Sequence, residues 1–337
     1  MRKKSSSNNK RKKNGKLKLV ASFIMFEVIF TGITAPMIAY YGPFENIRNT
    51  LVTTAMTTLS HQWIATMFLS DEKINEILKE QSITTLSQNK DAESQISLNN
   101  KNDKTIERFE VKGGKFKGHV LIVHDPTRVK VGATSKIGKE GQLTSEIAKN
   151  NNAIAAINGG GFTDETTDSQ WTGTGAKPTG VIISNGVELH NDLDDYNEQR
   201  EVVAMTEDGV LLVGEYSYNE LMRKNVKEAV SFGPALIVDG EKVIKTGDGG
   251  WGVAPRTAIG QRKDGAIILL VIDGRQGASA GATLKDVQDI LYEYGAYNAS
   301  NLDGGSSSTM YYKGEVINSP SDSLGERAVP SIIYVEK

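Results

Sequence analysis

The chain has 337 residues, with 39 Lys+Arg against 41 Asp+Glu, a formal net charge of −2 and a hydrophobic fraction of 38%. With 34 Gly and 8 Pro, this composition excludes a collagen-like or wholly disordered chain, leaves room for one large domain or two ordinary ones, and gives no sign of a nucleic-acid binder. The absence of cysteine excludes a disulfide scaffold, a Cys-ligated zinc or iron–sulfur site and a thiol nucleophile.

The near-neutral average conceals an uneven distribution. Arg2, Lys3, Lys4, Lys10, Arg11, Lys12, Lys13, Lys16 and Lys18 all precede the first acid, Glu27, and run into the apolar stretch Leu19–Tyr41. About 20 apolar residues cross ~30 Å of hydrocarbon as a helix. The stretch therefore predicts a single-pass signal anchor, with 1–18 as a basic cytoplasmic tip and the remainder outside by the positive-inside bias. A cleaved signal peptide and a buried core helix are the alternatives; the length of the stretch and the lack of a small-x-small cleavage site favour retention. Glu27 costs ~2.5–3.5 kcal/mol on insertion scales if charged, and is read as a protonated passenger. Beyond Lys18, 30 Lys+Arg face 41 Asp+Glu, so the outer portion carries a net charge of −11.

Residues 42–81 read as a helical stalk, because Ile47, Leu51, Ala55, Leu59, Ile64, Met67, Phe68, Ile74, Ile77 and Leu78 are spaced largely by threes and fours. Such a stripe suits self-association or a membrane partner, and His61 and Trp63 within it read as packing residues. Residues 82–103, rich in Ser, Asn, Gln, Lys and Asp, predict a flexible linker. Residues 104–337 form the remaining domain.

There, short β-branched runs separated by Gly, Asn and Asp predict strands at His119–His124, Arg128–Val131, Ala153–Ile157, Val181–Ile183, Val202–Met205, Val210–Val213, Ala235–Val238, Arg256–Ile259, Ala266–Ile272, Thr309–Tyr312, Glu315–Ile317 and Ser331–Val335. Two helices stand among them. Leu284–Tyr294 has Thr283 as N-cap, Asp286 at the capping-box position and Gly295 as terminator; the other is Thr144–Asn150. Gly240-Glu241-Lys242 and Gly314-Glu315-Val316 read as hairpin turns. The fold class is α+β: a large twisted mixed β-sheet with a few packed helices, preceded by one transmembrane helix and the stalk.

Four segments hold polar groups that a simple fold does not require. Asn158-Gly159-Gly160-Gly161-Phe162 ends a strand in a triple glycine, without the Lys-Ser/Thr of a P-loop or the glycine order of a dinucleotide fold. Pro255-Arg256-Thr257 places a guanidinium at a strand mouth, suited either to a phosphate or carboxylate or to a structural ion pair. Asp273-Gly274-Arg275-Gln276 puts an acid at the carboxyl end of an apolar strand, with Arg275 on the same side if the chain stays extended. Asn301-Leu302-Asp303-Gly304-Gly305-Ser306-Ser307 repeats the arrangement, and its serines lack the G-x-S-x-G frame of a hydrolase elbow. Together these features point to a site. Asp192, Asp194 and Asp195 fit no EF-hand and read as a solvated loop; His119, His124 and His190 lack paired metal-ligand spacing.

These motifs, with Gly281-Ala282-Thr283-Leu284 and Glu326-Arg327-Ala328-Val329-Pro330 in the same order, resemble the phosphodiester glycosidase family over roughly residues 105–335. Three glycines in the first motif and Ser306 in place of a further glycine are departures. The resemblance implies a hydrolase that cleaves a sugar-1-phosphodiester at the glycosidic carbon, giving free sugar and a phosphomonoester; the anchor topology adds the expectation of an extracytoplasmic location and a surface glycan or polysaccharide as substrate. The resemblance makes Asp273 and Asp303 the candidate catalytic acids. Arg256 and Arg275 would grip phosphate, and Asn158, Gly159, Gly160, Gly304, Gly305, Ser306 and Thr283 would orient substrate. No cofactor is required by these residues, with a divalent cation left open. The partners expected are a sugar-phosphate or glycan substrate and the membrane. A non-catalytic glycan-binding or scaffold module of a wall-assembly complex is the second reading, and a phosphatase or nuclease would need a metal-ligand set.

Overall fold

The computed structural model describes residues 5–58, 61–83, 86–88, 92–163, 174–277 and 279–337. Arg2, Lys3 and Lys4 of the basic tip, Leu59 of the stalk stripe, and 84–85 and 89–91 of the expected linker lie outside the described residues. The chain divides into two compact units, Met1–Ile77 and Leu78–Lys337.

In the first unit the helix Ser5–Tyr41 contains one stretch, Lys16–Tyr41, long and apolar enough to cross a membrane or to serve as a signal sequence. The expected stalk is not one helix but several, including Glu45–Met56 and Trp63–Thr66. The break falls at consecutive threonines: Thr57 Oγ1 donates to Thr53 O (3.0 Å) and Thr58 Oγ1 to Ala55 O (2.9 Å), competing with the next helical turn. Val52, Ala55 and Ala65 are buried, and Tyr40 stacks on Phe68 at 4.8 Å. Trp63, expected to pack, is 55% exposed.

The second unit is α+β, as expected, but its strands form three principal sheets rather than one, and every strand pairing among the described residues is antiparallel rather than mixed. Short turns join many of the successive strands, so no crossover helix is needed to reverse direction. The largest sheet has seven strands in the spatial order Ile106–Lys112, Lys117–Val123, Ile267–Ile272, Arg256–Arg262, Ala296–Leu302, Ala235–Val238 and Glu241–Lys242. A five-stranded sheet is centred on Val226–Ser231, and another on Ala155–Asn158. Both predicted hairpins form, with Asp239 (φ 53°) and Gly240 (φ 83°) in one and Lys313 (φ 49°) and Gly314 (φ 100°) in the other.

Strand alternation sends residues from each pleat to opposite faces. Leu121, Ile259, Leu269 and Val271 from one face of the seven-stranded sheet pack with Ile157, Val203 and Val213 of the other two sheets. Val120, Ala258, Ile268 and Leu270 face the other way and cover Leu284, Val287 and Leu291 of the helix Leu284–Glu293. That helix starts as the sequence predicts. Thr283 Oγ1 accepts from Asp286 N (3.1 Å), and the Asp286 carboxylate accepts from Thr283 N (2.9 Å).

The described residues of 82–103, expected as a flexible linker, instead make contacts along this unit. Gln88 Oε1 accepts from Val213 N (2.9 Å) and Tyr216 Oη (2.8 Å), Ser97 N donates to Lys263 O (2.7 Å), and Ile96 is buried.

Buried Gln261 fastens the seven-stranded sheet to its neighbour. Its Oε1 accepts from Leu211 N (2.7 Å), and its Nε2 donates to Gly209 O (2.7 Å) and Gly265 O (3.1 Å). Gln261→Met keeps the volume and strands three buried backbone groups. A loss of about 2–4 kcal/mol is expected, seen as a fall of roughly 5–15 °C in the thermal midpoint followed by near-ultraviolet circular dichroism.

Candidate active site

Three adjacent strands bring both Asp-Gly turns to one sheet edge. Arg256–Arg262 lies between Ile267–Ile272 and Ala296–Leu302 and runs antiparallel to both, so the outer strands end where the middle one begins. Ile272 stands opposite Arg256, and Leu302 opposite Thr257. Asp273 and Asp303 therefore leave the sheet on either side of Pro255-Arg256, their backbones separated by two interstrand spacings, roughly 10 Å.

Each turn needs its glycine because it closes on that same proline. A Cβ on Gly274 would lie 2.8 Å from Pro255 N, and one on Gly304 2.9 Å from Pro255 O.

The two carboxylates have unlike settings. Asp273 is 7% exposed, and its Oδ1 accepts from Asn318 Nδ2 (3.1 Å) and Ser319 N (2.9 Å). Its Oδ2 has no protein hydrogen-bond partner among the described residues, so one oxygen is anchored while the other can act. Asp303 is half-buried, and its turn is held through the main chain. Asp303 N donates to Gly159 O (3.2 Å), and Asp303 O accepts from Asn158 Nδ2 (2.5 Å).

Asn158 is fully buried, and its Oδ1 also accepts from Thr257 Oγ1 (2.7 Å) and Thr309 N (3.1 Å). Sequence placed this side chain on the substrate; the structure engages it within the protein, where it ties the Asp303 turn to the strand end behind it. The neighbouring amides are likewise engaged: Gly159 N donates to Ser331 O (3.0 Å), Gly160 N to Ser331 Oγ (3.1 Å) and Gly305 N to Pro255 O (2.9 Å). Thr283 is taken up by its helix cap. Of the expected backbone donors, the Gly304 amide alone makes no protein hydrogen bond among the described residues.

Arg256 is also reassigned. It is 4% exposed; its Nε donates to Ala282 O (3.1 Å) and its Nη2 to Trp251 O (2.9 Å) and Gly252 O (2.7 Å). Its side chain follows Ala258 to the helix side of the sheet, which is why it meets the 251–252 loop and the start of the Leu284–Glu293 helix. Burial pulls its guanidinium down to about 10, with Asp248 opposing, Arg275 reinforcing and Asp286 opposing.

Arg275 does not follow Asp273 in extended form; its φ of 56° turns the chain. This left-handed conformation costs about 1 kcal/mol in a non-glycine residue and is often retained at functional positions. The exposed Arg275 guanidinium lies over Gly305, where an added Cβ would be 3.5 Å from both Nη atoms. It forms no hydrogen bond or ion pair among the described residues. Desolvation and then the charge of Arg327 lower its pKa.

Arg327 belongs to a motif already noted, but was not among the expected site residues. Its Nη1 donates to Ser306 Oγ (3.1 Å), and its guanidinium lies 4.9 Å from the Phe162 ring centre. Ser145 N donates to Glu326 Oε2 (2.9 Å), fixing the preceding residue. Two cations thus close on Gly305-Ser306. Asn318 was missed as well: it links Asp273 to Ser308 O (3.0 Å), and nothing in its local sequence marks it.

The remaining candidates lie elsewhere in the fold. His124 pairs with Glu107 (2.7 Å) and Asp103 (3.3 Å). His119 feels the Asp273 charge, but burial is the larger influence and lowers its pKa. Among the described residues no group of three or more His, Asp or Glu side chains is placed to hold a metal, Asp192, Asp194 and Asp195 included.

The profile of a known family, described as phosphodiester glycosidase, matches residues 151–336, which include all of these turns. The chain belongs to the phosphodiester glycosidase family. It is 32% identical over 219 residues to the SPbeta prophage-derived uncharacterized protein YomE of Bacillus subtilis, covering 63% of this chain and 31% of that protein. It is 37% identical over 70 residues to N-acetylglucosamine-1-phosphodiester alpha-N-acetylglucosaminidase of Bos taurus, covering 21% and 13% respectively. The chain therefore spans less than a third of either relative. The fold is also that of the zebrafish N-acetylglucosamine-1-phosphodiester alpha-N-acetylglucosaminidase catalytic domain auto-inhibited by its pro-peptide, with a TM-score of 0.59 and 24% identity over 76% of this chain and 88% of that one. Family membership supports a hydrolase of this kind.

In this family member, Asn158→Asp keeps the acceptor for Thr257 and Thr309 but sets a carboxylate oxygen against the Asp303 carbonyl. A loss of about 2–4 kcal/mol is expected in urea unfolding. An unchanged midpoint would show that the carboxamide does not hold the turn.

Proposed function

We propose that the chain hydrolyses the glycosidic bond of a sugar-1-phosphodiester outside the cytoplasm, on a surface glycan or polysaccharide, while anchored by Lys16–Tyr41. The observation that carries this reading is the joint placement of two Asp-Gly turns around Pro255, with Arg275 and Arg327 closing on Gly305-Ser306 directly after Asp303. Two carboxylates and a pair of guanidiniums suit a substrate that joins an anomeric carbon to a phosphodiester.

In the reaction the bond between the anomeric carbon and the phosphate oxygen breaks, and its electron pair stays with the phosphate. The oxygen of water bonds to the anomeric carbon, and its proton passes to a carboxylate and then to solvent or to the departing phosphomonoester. The phosphate is a weakly basic leaving group, so the larger demand is to stabilise oxocarbenium-like charge and to direct the nucleophile. Asp303, the more accessible acid, and the unanchored Oδ2 of Asp273 are the groups assigned to those tasks. Arg275 and Arg327, with the Gly304 amide, hold the phosphate. Arg256 acts as a positioning residue through its three carbonyl contacts.

Hydrolysis of a synthetic sugar-1-phosphodiester tests the reading, with release of both free sugar and phosphomonoester. Asp273→Asn and Asp303→Asn are each expected to lower kcat by roughly 10²–10⁴; full turnover in both variants would remove the catalytic assignment.

The arginines give a separate check. Arg275→Ala and Arg327→Ala should each raise KM and weaken competitive inhibition by inorganic phosphate about 10–100-fold, from the loss of a charge-assisted contact. Inhibition unaltered in both would place the phosphate elsewhere.

A further inference from the structure

A cavity of about 450 Å³ adjoins the carboxylate turns without including them. Its walls are Phe232–Pro234, Gly249–Trp251 and the preceding chain at Leu78, Ser82 and Ile83, with the Glu201 carboxylate also lining it. This is a size suited to a small organic ligand. Phe232 and Trp251 meet edge to face, 5.9 Å between ring centres and 77° between planes, and Trp251 remains 37% exposed.

Both aromatic walls are hydrogen-bonded to the catalytic edge. Asn301, two residues before Asp303, donates from Nδ2 to Gly233 O (2.9 Å) and from its main-chain N to Pro234 O (3.0 Å). Arg256 donates to Trp251 O and Gly252 O. Along the chain, the cavity attaches at Asn301, the carboxylate is Asp303, and the arginines close on Gly305-Ser306. A sugar 1-phosphate presents its chemistry in the same order: ring, anomeric carbon, phosphate.

The third wall, Leu78, Ser82 and Ile83, lies ahead of the family match at 151–336. It is tied to the aromatic loop. Gln81 Oε1 accepts from Asp248 N (3.2 Å), and Gln81 O abuts Gly250, where an added Cβ would be 2.9 Å away.

We infer that this cavity is the sugar-ring subsite, that Trp251 is its stacking platform, and that Leu78–Ile83 forms the wall that selects the sugar admitted. The inference rests on the hydrolase reading above. A pyranose has an apolar C–H face for the indole, and its hydroxyl groups would stand beside the Glu201 carboxylate and the Ser82 hydroxyl, which donates to Lys79 O (2.7 Å).

The test is calorimetric titration of the full chain in detergent with N-acetylglucosamine 1-phosphate and, separately, inorganic phosphate. Trp251→Ala is expected to weaken the sugar phosphate about tenfold, the scale of one aromatic contact, and to leave inorganic phosphate within twofold. Trp251→Phe should recover most of the affinity, which separates lost stacking from a disturbed fold. No sugar-phosphate binding by the native chain, an unchanged affinity in Trp251→Ala, or equal losses for both ligands would overturn the subsite. The hydrolase reading is judged independently. Turnover with Trp251-independent binding would retain it and remove the subsite, and Trp251-dependent binding without turnover would do the reverse.

Discussion

The arrangement of the site depends on one buried carboxamide. Asn158 ends a strand of one sheet, and its three hydrogen bonds reach Thr257 and the Asp303 carbonyl on the seven-stranded sheet and Thr309 beyond the Asp303 turn. A carboxamide can do this because it donates and accepts from one planar group, which neither Asp nor Leu of similar size can match. The triple glycine that follows lets the backbone approach Ser331 and Ser231 closely enough for direct amide bonds. Sheet contact and site geometry are therefore set by the same few atoms, and a displacement of the sheets would move Asp303.

Electrostatics divides the labour among the arginines. Buried Arg256 has its charge dispersed over three carbonyls and balanced by the fields of Asp248 and Asp286, so it is a poor candidate to change partners. Arg275 and Arg327 oppose each other beside Ser306, and the cost of that repulsion falls when an anion binds between them. The portion of the chain beyond Lys18 carries −11 overall, so its mean field repels a phosphodiester. On the proposed function, anion affinity would have to come from local geometry, with Arg275 next to a second guanidinium as its source.

The sequence was most legible where local chemistry and tertiary structure agree. The Thr283–Asp286 cap and both hairpins formed in place because their signals concern neighbouring residues only. The strands built from Ile, Leu and Val were found within a few residues. Ala296–Leu302 was not, although it delivers Asp303, because Asn298, Ser300 and Asn301 occupy buried positions where a half-buried strand would alternate. One polar atom of each carboxamide is engaged by a distant segment: Asn298 Oδ1 accepts from Asp239 N, and Asn301 Nδ2 donates to Gly233 O. The same limit applies to the site. The acids and glycines could be named, but Arg256 could not be told from Arg275, because the difference is which face of the sheet each reaches and which carbonyls are waiting there.

Residues 82–103 extend that reasoning to domain boundaries. Their composition resembles a linker because a polar segment has little apolar area with which to offset the entropy of ordering. Gln88, Ser97 and Asn100 avoid that penalty by a different route, placing amide and main-chain groups on backbone partners at 211, 213, 263 and 264. Such contacts replace water with protein at modest net gain per bond, so several must act together, and Ile96 and Ile83 add apolar contacts between them. A segment bound in this manner can wall a cavity yet diverge freely in sequence, since backbone partners do not specify the side chains that face the ligand. In the proposed subsite, the wall of Leu78, Ser82 and Ile83 is then the part that can change with the sugar without moving either carboxylate.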